Sequence, residues 1–218
     1  MTDGILLIDK PAGMTSFGVV ARVRRVLSEK AGKKVKVGHT GTLDPFATGL
    51  MILVVGKETK NAMALTKLDK VYEATVVLGQ VSSTGDTEGE LTAVSDRKPS
   101  REEIEQVLET FVGEITQTPP MFSAIKINGV RAYKMAHKGE TVEIPTRQVQ
   151  VFSLELVEYA YPELKIRAHV SSGTYIRTLA QDVGETLGTG AYCRELRRTK
   201  IAAHSLAEAT TLEALGVI

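Results

Sequence analysis

Gly38-His39-Thr40-Gly41-Thr42-Leu43-Asp44-Pro45-Phe46-Ala47-Thr48-Gly49 holds three glycines, three threonines, one histidine and one aspartate in twelve residues. The next run, Leu50-Met51-Ile52-Leu53-Val54-Val55, is continuously apolar and reads as a buried strand. So polar and turn-rich a stretch, leading straight into the core, is where a fold places chemistry rather than packing. Asp44-Pro45 alone would be a turn initiator, and His39 alone a hydrogen-bonded structural histidine.

Upstream, Gly4-Ile5-Leu6-Leu7-Ile8-Asp9 is a short apolar strand ended by the turn Lys10-Pro11-Ala12-Gly13. A helix comes next, capped by Thr15 or Ser16. Val19, Val20, Val23, Val26 and Leu27 face inward at helical spacing, and Arg22, Arg25 and Glu29 face outward. Downstream, Tyr72 to Leu78 is a second strong strand. Gly79 to Pro99 is a loop with a hairpin, turning at Gly85-Asp86-Thr87-Glu88-Gly89. Ser100 and Glu103 then form a capping box for a helix with the stripe Ile104, Val107, Leu108 and Phe111, stopped by Gly113. Pro119-Pro120 opens a basic, irregular segment through Arg147, which reads as an insertion. Leu164, Ile166, Ala168 and Val170 alternate with polar residues as a half-buried strand. After Ser171-Ser172-Gly173 a helix carries Ile176, Leu179, Ala180, Val183 and Leu187 inward. Strands and helices intersperse without a regular βα repeat, which favours an α+β fold over a doubly wound parallel sheet.

The 218 residues are 43% hydrophobic, 24% charged and 5% aromatic, with a formal net charge of +1, the proportions of a soluble globular chain read as one domain. No apolar run reaches the ~18 residues of a membrane span, and Met1-Thr2-Asp3-Gly4 lacks the basic flank of a secretory signal. The expected address is the cytoplasm. A lone Cys193, four scattered histidines and no CxxC or HExxH leave no metal site to propose. Gly49 to Lys57 has the wrong spacing for a phosphate loop, and neither a G-x-S-x-G elbow nor a G-x-G-x-x-G fingerprint occurs.

The near-zero net charge conceals an asymmetry. Residues 1–70 carry twelve Lys/Arg against six Asp/Glu, and residues 71–118 carry three against ten. Residues 119–147 carry five against two. Arg22, Arg24, Arg25, Lys30, Lys33, Lys34 and Lys36 form one basic cluster, and Arg194, Arg197, Arg198 and Lys200 another. Such clusters are the electrostatic footprint of a nucleic-acid binder, and Tyr133 beside Lys134 adds a stacking surface.

The stretch from Gly38 to Gly49 matches GHxGxLDPxAxG, and on it the chain resembles the TruB family of tRNA pseudouridine-55 synthases. The resemblance extends to Asp9-Lys10-Pro11-Ala12-Gly13-Met14-Thr15-Ser16 and Lys70-Val71-Tyr72-Glu73-Ala74. It continues through Pro119-Pro120-Met121-Phe122-Ser123-Ala124-Ile125-Lys126 with Gly129 and Tyr133, then Gly173-Thr174-Tyr175-Ile176-Arg177-Thr178-Leu179 and Leu196-Arg197-Arg198-Thr199. It implies a pseudouridine-synthase fold, a central mixed, mostly antiparallel sheet flanked by helices, with residues 119–147 as an inserted RNA-gripping segment. It also implies isomerisation of uridine 55 in the tRNA T-arm, with uracil detached from ribose C1′, rotated and rejoined through C5, and no cofactor. Asp44 would be the nucleophile and Arg177 its guanidinium partner, the latter at the start of a helix where a phosphate or carboxylate could be held. Tyr72 would stack on the base and handle the C5 proton. Tyr175 and Leu196 would wall the uracil pocket, and His39 would prop the flipped nucleotides. Lys10, Lys126, Tyr133, Arg197 and Arg198 would contact RNA.

Two departures stand out. His137 replaces an arginine usual in the family's insertion, and the sequence stops about 20 residues past Leu-Arg-Arg-Thr, where bacterial members continue into a PUA domain. The resemblance thus implies a single catalytic domain over 1–218, a monomer acting on the T-arm without a membrane or obligate protein partner. Two alternatives are a non-catalytic tRNA-binding or folding protein, and an RNA-guided synthase of the dyskerin type. The mode of attack stays open between C6 addition, displacement at C1′ and a glycal route.

Overall fold

The computed structural model describes residues 3–127, 129–136, 138–139 and 142–217. The chain divides into two compact units, Met1–Tyr72 with Arg197–Ile218, and Glu73–Leu196. The first begins with β1 (Gly4–Lys10), α1 (Ser16–Ala31), β2 (Val37–His39) and β3 (Thr48–Val55), then a 3-10 turn and the short α2 (Ala62–Thr66). Thr15 caps α1 by accepting from the Gly18 amide, and Gly32, at φ 63°, closes it. Val19, Val20 and Val23 are buried while Arg22, Arg25 and Glu29 are exposed, as the spacing predicts. β4 (Lys70–Leu78) runs from the first unit into the second.

The second unit contains the hairpin β5 (Gln80–Ser82) and β6 (Leu91–Ala93), then α3 (Arg101–Thr110) and β7 (Gly113–Gln117). The Ser100–Glu103 capping box is present in both directions. Gly113 does not stop α3, however. The helix ends at Thr110 with Phe111 still in the right-handed region, and Gly113 opens β7. The basic segment holds a two-rung hairpin, β8 (Lys126–Ile127) and β9 (Val130–Arg131), and one helical turn, α4 (Ala132–Ala136). His137 lies outside the described residues. Then come β10 (Arg147–Ala160), β11 (Glu163–Val170) and α5 (Ile176–Thr186), with β10 antiparallel to both β11 and β7. Leu164, Ile166, Ala168 and Val170 are buried, so the alternation of β11 is as read.

β12 (Ala191–Ile201) returns the chain to the first unit, which closes with β13 (His204–Ser205), a 3-10 turn and β14 (Thr210–Thr211). There β1 is antiparallel to β3 and parallel to β14, β2 is antiparallel to β3, and the end of β12 is parallel to β3. The strand pairing is thus mixed and helices flank it, an α+β architecture. Leu50, Ile52 and Ile201 form a core cluster with Ile5, Leu7, Leu65, Leu68 and Leu206 packed against it. Among the described residues no helix is long and apolar enough to cross a membrane.

Candidate active site

Asp44 sits half-buried on the loop between β2 and β3, whose backbone is held by the turn after β1, the start of α1 and β12. The buried Ser16 hydroxyl, at the first residue of α1, donates to the Leu43 carbonyl at 2.9 Å and accepts from the Leu43 amide at 2.8 Å. On the other side of Asp44, the Pro45 carbonyl accepts from the Gly13 amide at 2.8 Å and from Lys10 Nζ at 3.1 Å. The Ala47 amide donates to the Asp44 carbonyl, closing a tight turn at 3.2 Å. The N-terminal motif from Lys10 to Ser16 is therefore the clamp on the aspartate loop, which gives a physical reason for two motifs so far apart in sequence.

β12 supplies the other grip. Arg198 is 1% exposed; its Nε donates to the Leu50 carbonyl at 2.7 Å and its Nη2 to the Gly41 carbonyl at 3.1 Å. The strand register sets Arg198 opposite Gly49, where φ is 103° and any Cβ would collide with the Arg198 backbone. The last glycine of the loop motif is thus required by a close backbone approach. Arg198 also lies over the ring of Tyr72, 6.0 Å from its centroid. Tyr72 is 8% exposed on β4. Lys70, two residues earlier, is buried, donates to the Thr66 carbonyl at 2.8 Å and to the Leu68 carbonyl, and has its pKa lowered to about 8 by burial and by the neighbouring Arg198 charge.

In this geometry two residues expected to meet RNA are engaged within the protein. Lys10 is 0% exposed, and its ammonium donates to the carbonyls of Pro11, Met14 and Pro45. Arg198 is committed to the loop. Nor is the second basic cluster a free patch, because Arg197 pairs with Asp9 at 2.7 Å and Arg194 with Glu163 at 2.5 Å. Alternation along β12 turns one arginine inward and leaves the next half-exposed beside a carboxylate. The first cluster differs: Arg22, Arg25, Lys30, Lys33, Lys34 and Lys36 are exposed. His39 is half-buried at the end of β2, opposite Leu53.

In the second unit Arg177 is 2% exposed in the first turn of α5. Its Nη1 lies 3.0 Å from Asp86 Oδ2 and donates to the Thr84 carbonyl at 2.7 Å, while Nη2 donates to the Phe122 carbonyl at 2.7 Å. Asp86 is itself held, with Oδ1 accepting from Thr84 Oγ1 at 2.6 Å and from the Glu88 amide at 2.9 Å. Breaking a buried pair of this kind costs about 3–5 kcal/mol. Sequence reasoning missed Asp86, because an aspartate between Gly85 and Thr87 reads as turn chemistry. Tyr175 is half-buried with its backbone clasped by Gln117, whose Oε1 accepts from the Tyr175 amide at 2.7 Å and whose Nε2 donates to its carbonyl at 3.0 Å. Leu196 is buried on β12. Lys126 is exposed on the β8–β9 hairpin, opposite Arg131, and the Tyr133 amide donates to the Ser123 carbonyl at 3.1 Å.

The structure thus gathers Lys10, Asp44, Tyr72 and Arg198 around one loop, and builds a second cluster from Arg177, Asp86 and the Gln117–Tyr175 clasp. A model for the N-terminal domain of TruB family pseudouridylate synthases matches residues 24–176, and one for the C-terminal domain of tRNA pseudouridylate synthase B matches residues 177–217. A protein of Opitutus terrae called tRNA pseudouridine synthase B is 48% identical over 217 residues, covering 99% of this chain and 88% of that protein. One of the same name from Azoarcus sp. (strain BH72) is 46% identical over 215 residues, covering 99% of this chain and 70% of the other. Among solved structures, a Cbf5-Nop10-Gar1 complex contains a chain 31% identical with a TM-score of 0.75, matching 97% of this chain and 53% of its own length. An H/ACA RNP bound to a substrate RNA containing 2′-deoxyuridine gives 29% identity and a TM-score of 0.72, matching 97% of this chain and 52% of its own. Fold and loop define a pseudouridine synthase. Within that class the chain belongs to the TruB family.

Proposed function

We propose that this protein isomerises the uridine at position 55 in the T-arm loop of tRNA to pseudouridine, with Asp44 as nucleophile, acting as a monomer in the cytoplasm. The observation that carries the reading is the clamp on the Asp44 loop. Its carbonyls and amides are bound by Ser16, Gly13, Lys10 and Arg198, so the backbone that carries the carboxylate is held in place before substrate arrives, which lowers the reorganisation needed during reaction. Isomerisation breaks the C1′–N1 bond and forms C1′–C5, and the proton leaving C5 is balanced by one gained at N1, so no group donor is consumed. Tyr72 and Arg177 carry over the roles that the family's motifs give them, proton handling at C5 and support of the nucleophile's charge. Lys126, Arg131 and Tyr133 on the irregular segment are disposed for phosphate and base contacts, as are the exposed basic residues of α1 and the turn after it.

The likeness to a chain from an H/ACA RNP favours one second reading, synthesis directed by a guide RNA and partner proteins. Mapping pseudouridine in total tRNA treated with the purified protein alone separates the two. Pseudouridine at T-arm position 55 supports the proposal. No modification without added guide RNA or proteins supports the second reading.

A further inference from the structure

Arg147, the first residue of β10, stands opposite Gln117 of β7, and its guanidinium lies over the ring of Tyr175, 4.7 Å from the centroid. Gly173 makes room for it. At φ 91° this glycine approaches so closely that a Cβ would lie 3.3 Å from the guanidinium carbon and Nη1 and 3.4 Å from Nη2. The turn from Ser171 to Tyr175 is fastened to its surroundings by the Gln117 clasp and by Gln150, whose amide donates to Ser171 Oγ at 2.9 Å and whose carbonyl accepts from the Ser171 amide at 2.8 Å. Platform and guanidinium are therefore held in register.

Two of the Arg147 nitrogens, Nε and Nη2, are shielded from solvent and have no hydrogen-bond partner, and among the described residues no carboxylate pairs with this charge. Leaving a buried donor of a charged group unmade costs more than an ordinary hydrogen bond contributes, so a fold keeps such an edge when something else completes it. Nε–H and Nη2–H project from the same edge of the guanidinium, the fork that meets two oxygens of a phosphate or carboxylate in parallel. The residue beneath, Tyr175, is the N-cap of α5 and provides no side-chain cap there, so the surroundings also favour an anion.

We propose that the Arg147 fork, stacked on Tyr175, is uncovered as RNA docks and then binds one backbone phosphate of the substrate RNA beside Tyr175. This rests on the reading of the protein as a T-arm modifying enzyme. The fork makes a positioning contact that carries no sequence information, and Arg147 is not a catalytic residue.

The test is the salt dependence of binding to a T-arm stem-loop by wild type and Arg147→Gln, with kcat and KM for both. Expected for Arg147→Gln is about tenfold weaker binding at low salt, ~1.4 kcal/mol. The slope of log K against log salt should fall by about one phosphate's worth, ~0.7–0.9. KM should rise while kcat stays within about twofold, the split expected when binding is lost uniformly. An unchanged salt slope in a folded Arg147→Gln overturns the inference, as does a loss that depends on the bases of the loop. If Arg147→Gln fails to fold, Arg147→Lys decides. It keeps one charge but not the fork, so about fivefold weaker binding with the slope retained is expected, and wild-type affinity overturns the inference. A wild type that neither binds nor modifies the T-arm RNA instead overturns the underlying functional reading.

Discussion

Tyr72 and Arg177 are both buried, yet their surroundings demand different things of them. Tyr72 lies on a strand under the Arg198 guanidinium, and the role proposed for it at C5 would fall to its hydroxyl. Tyr72→Phe preserves the flat face and deletes that hydroxyl. Single-turnover rates should fall by at least about a hundredfold, ~2.7 kcal/mol, while RNA affinity changes less than about threefold. A wild-type rate would reduce Tyr72 to a stacking residue. Asp44 and Arg177 were singled out as candidates because their motifs are contiguous. Asp86 was not, since the arginine it pairs with is far along the chain and its own neighbours are ordinary turn residues.

At the scale of elements, local signals were read well and strand alternation through charged residues poorly. The caps at Thr15 and Ser100 depend only on residues a few positions away, so α1 and α3 begin where their sequences say. The end of α3 depends instead on the strand beyond it. Gly113 was needed to open β7 rather than to cap the helix, and sequence could not distinguish the two uses. β12 contains Arg194, Arg197, Arg198 and Lys200, and such a density of charge disguised a strand whose inward face includes a buried arginine.

The N-terminus of α1 and the start of β4 each yield a test. Ser16→Ala removes both hydrogen bonds to Leu43 and leaves a buried amide and carbonyl unpaired, which should cost about 1–3 kcal/mol in denaturant unfolding. The single-turnover rate should drop about tenfold as the Asp44 loop loosens, and a wild-type rate would mean that Ser16 serves stability only. Lys70, with its folded pKa lowered to about 8 from 10.5, releases its proton in the folded state before the unfolded state does. Between about pH 8 and 10.5 the unfolded chain therefore binds more protons at this position, and stability from this group rises with pH. Urea unfolding of wild type and Lys70→Met at pH 7, 8, 9 and 10 should show wild type gaining on the variant above pH 8. A constant difference across that range would mean that Lys70 is not the group responsible.

For the molecule as a whole, the near-zero net charge is distributed unevenly. The exposed basic residues of α1 and the turn after it face solvent, the arginines of β12 are engaged by Asp9, Glu163 and backbone carbonyls, and α3 carries much of the compensating acid. Charge counts along the sequence pointed to a polyanion, but only burial and pairing reveal which cations remain to meet it. The central claim is that the clamped Asp44 performs the isomerisation. It is tested most directly by tritium release from a T-arm stem-loop labelled at C5 of its uridines, with wild type and Asp44→Asn compared side by side at enzyme excess. Wild type is expected to release tritium from one uridine per RNA, and Asp44→Asn to release none while binding the RNA within about tenfold of wild type, ~1.4 kcal/mol. Release by a contamination-free preparation of Asp44→Asn at the wild-type rate would contradict the account.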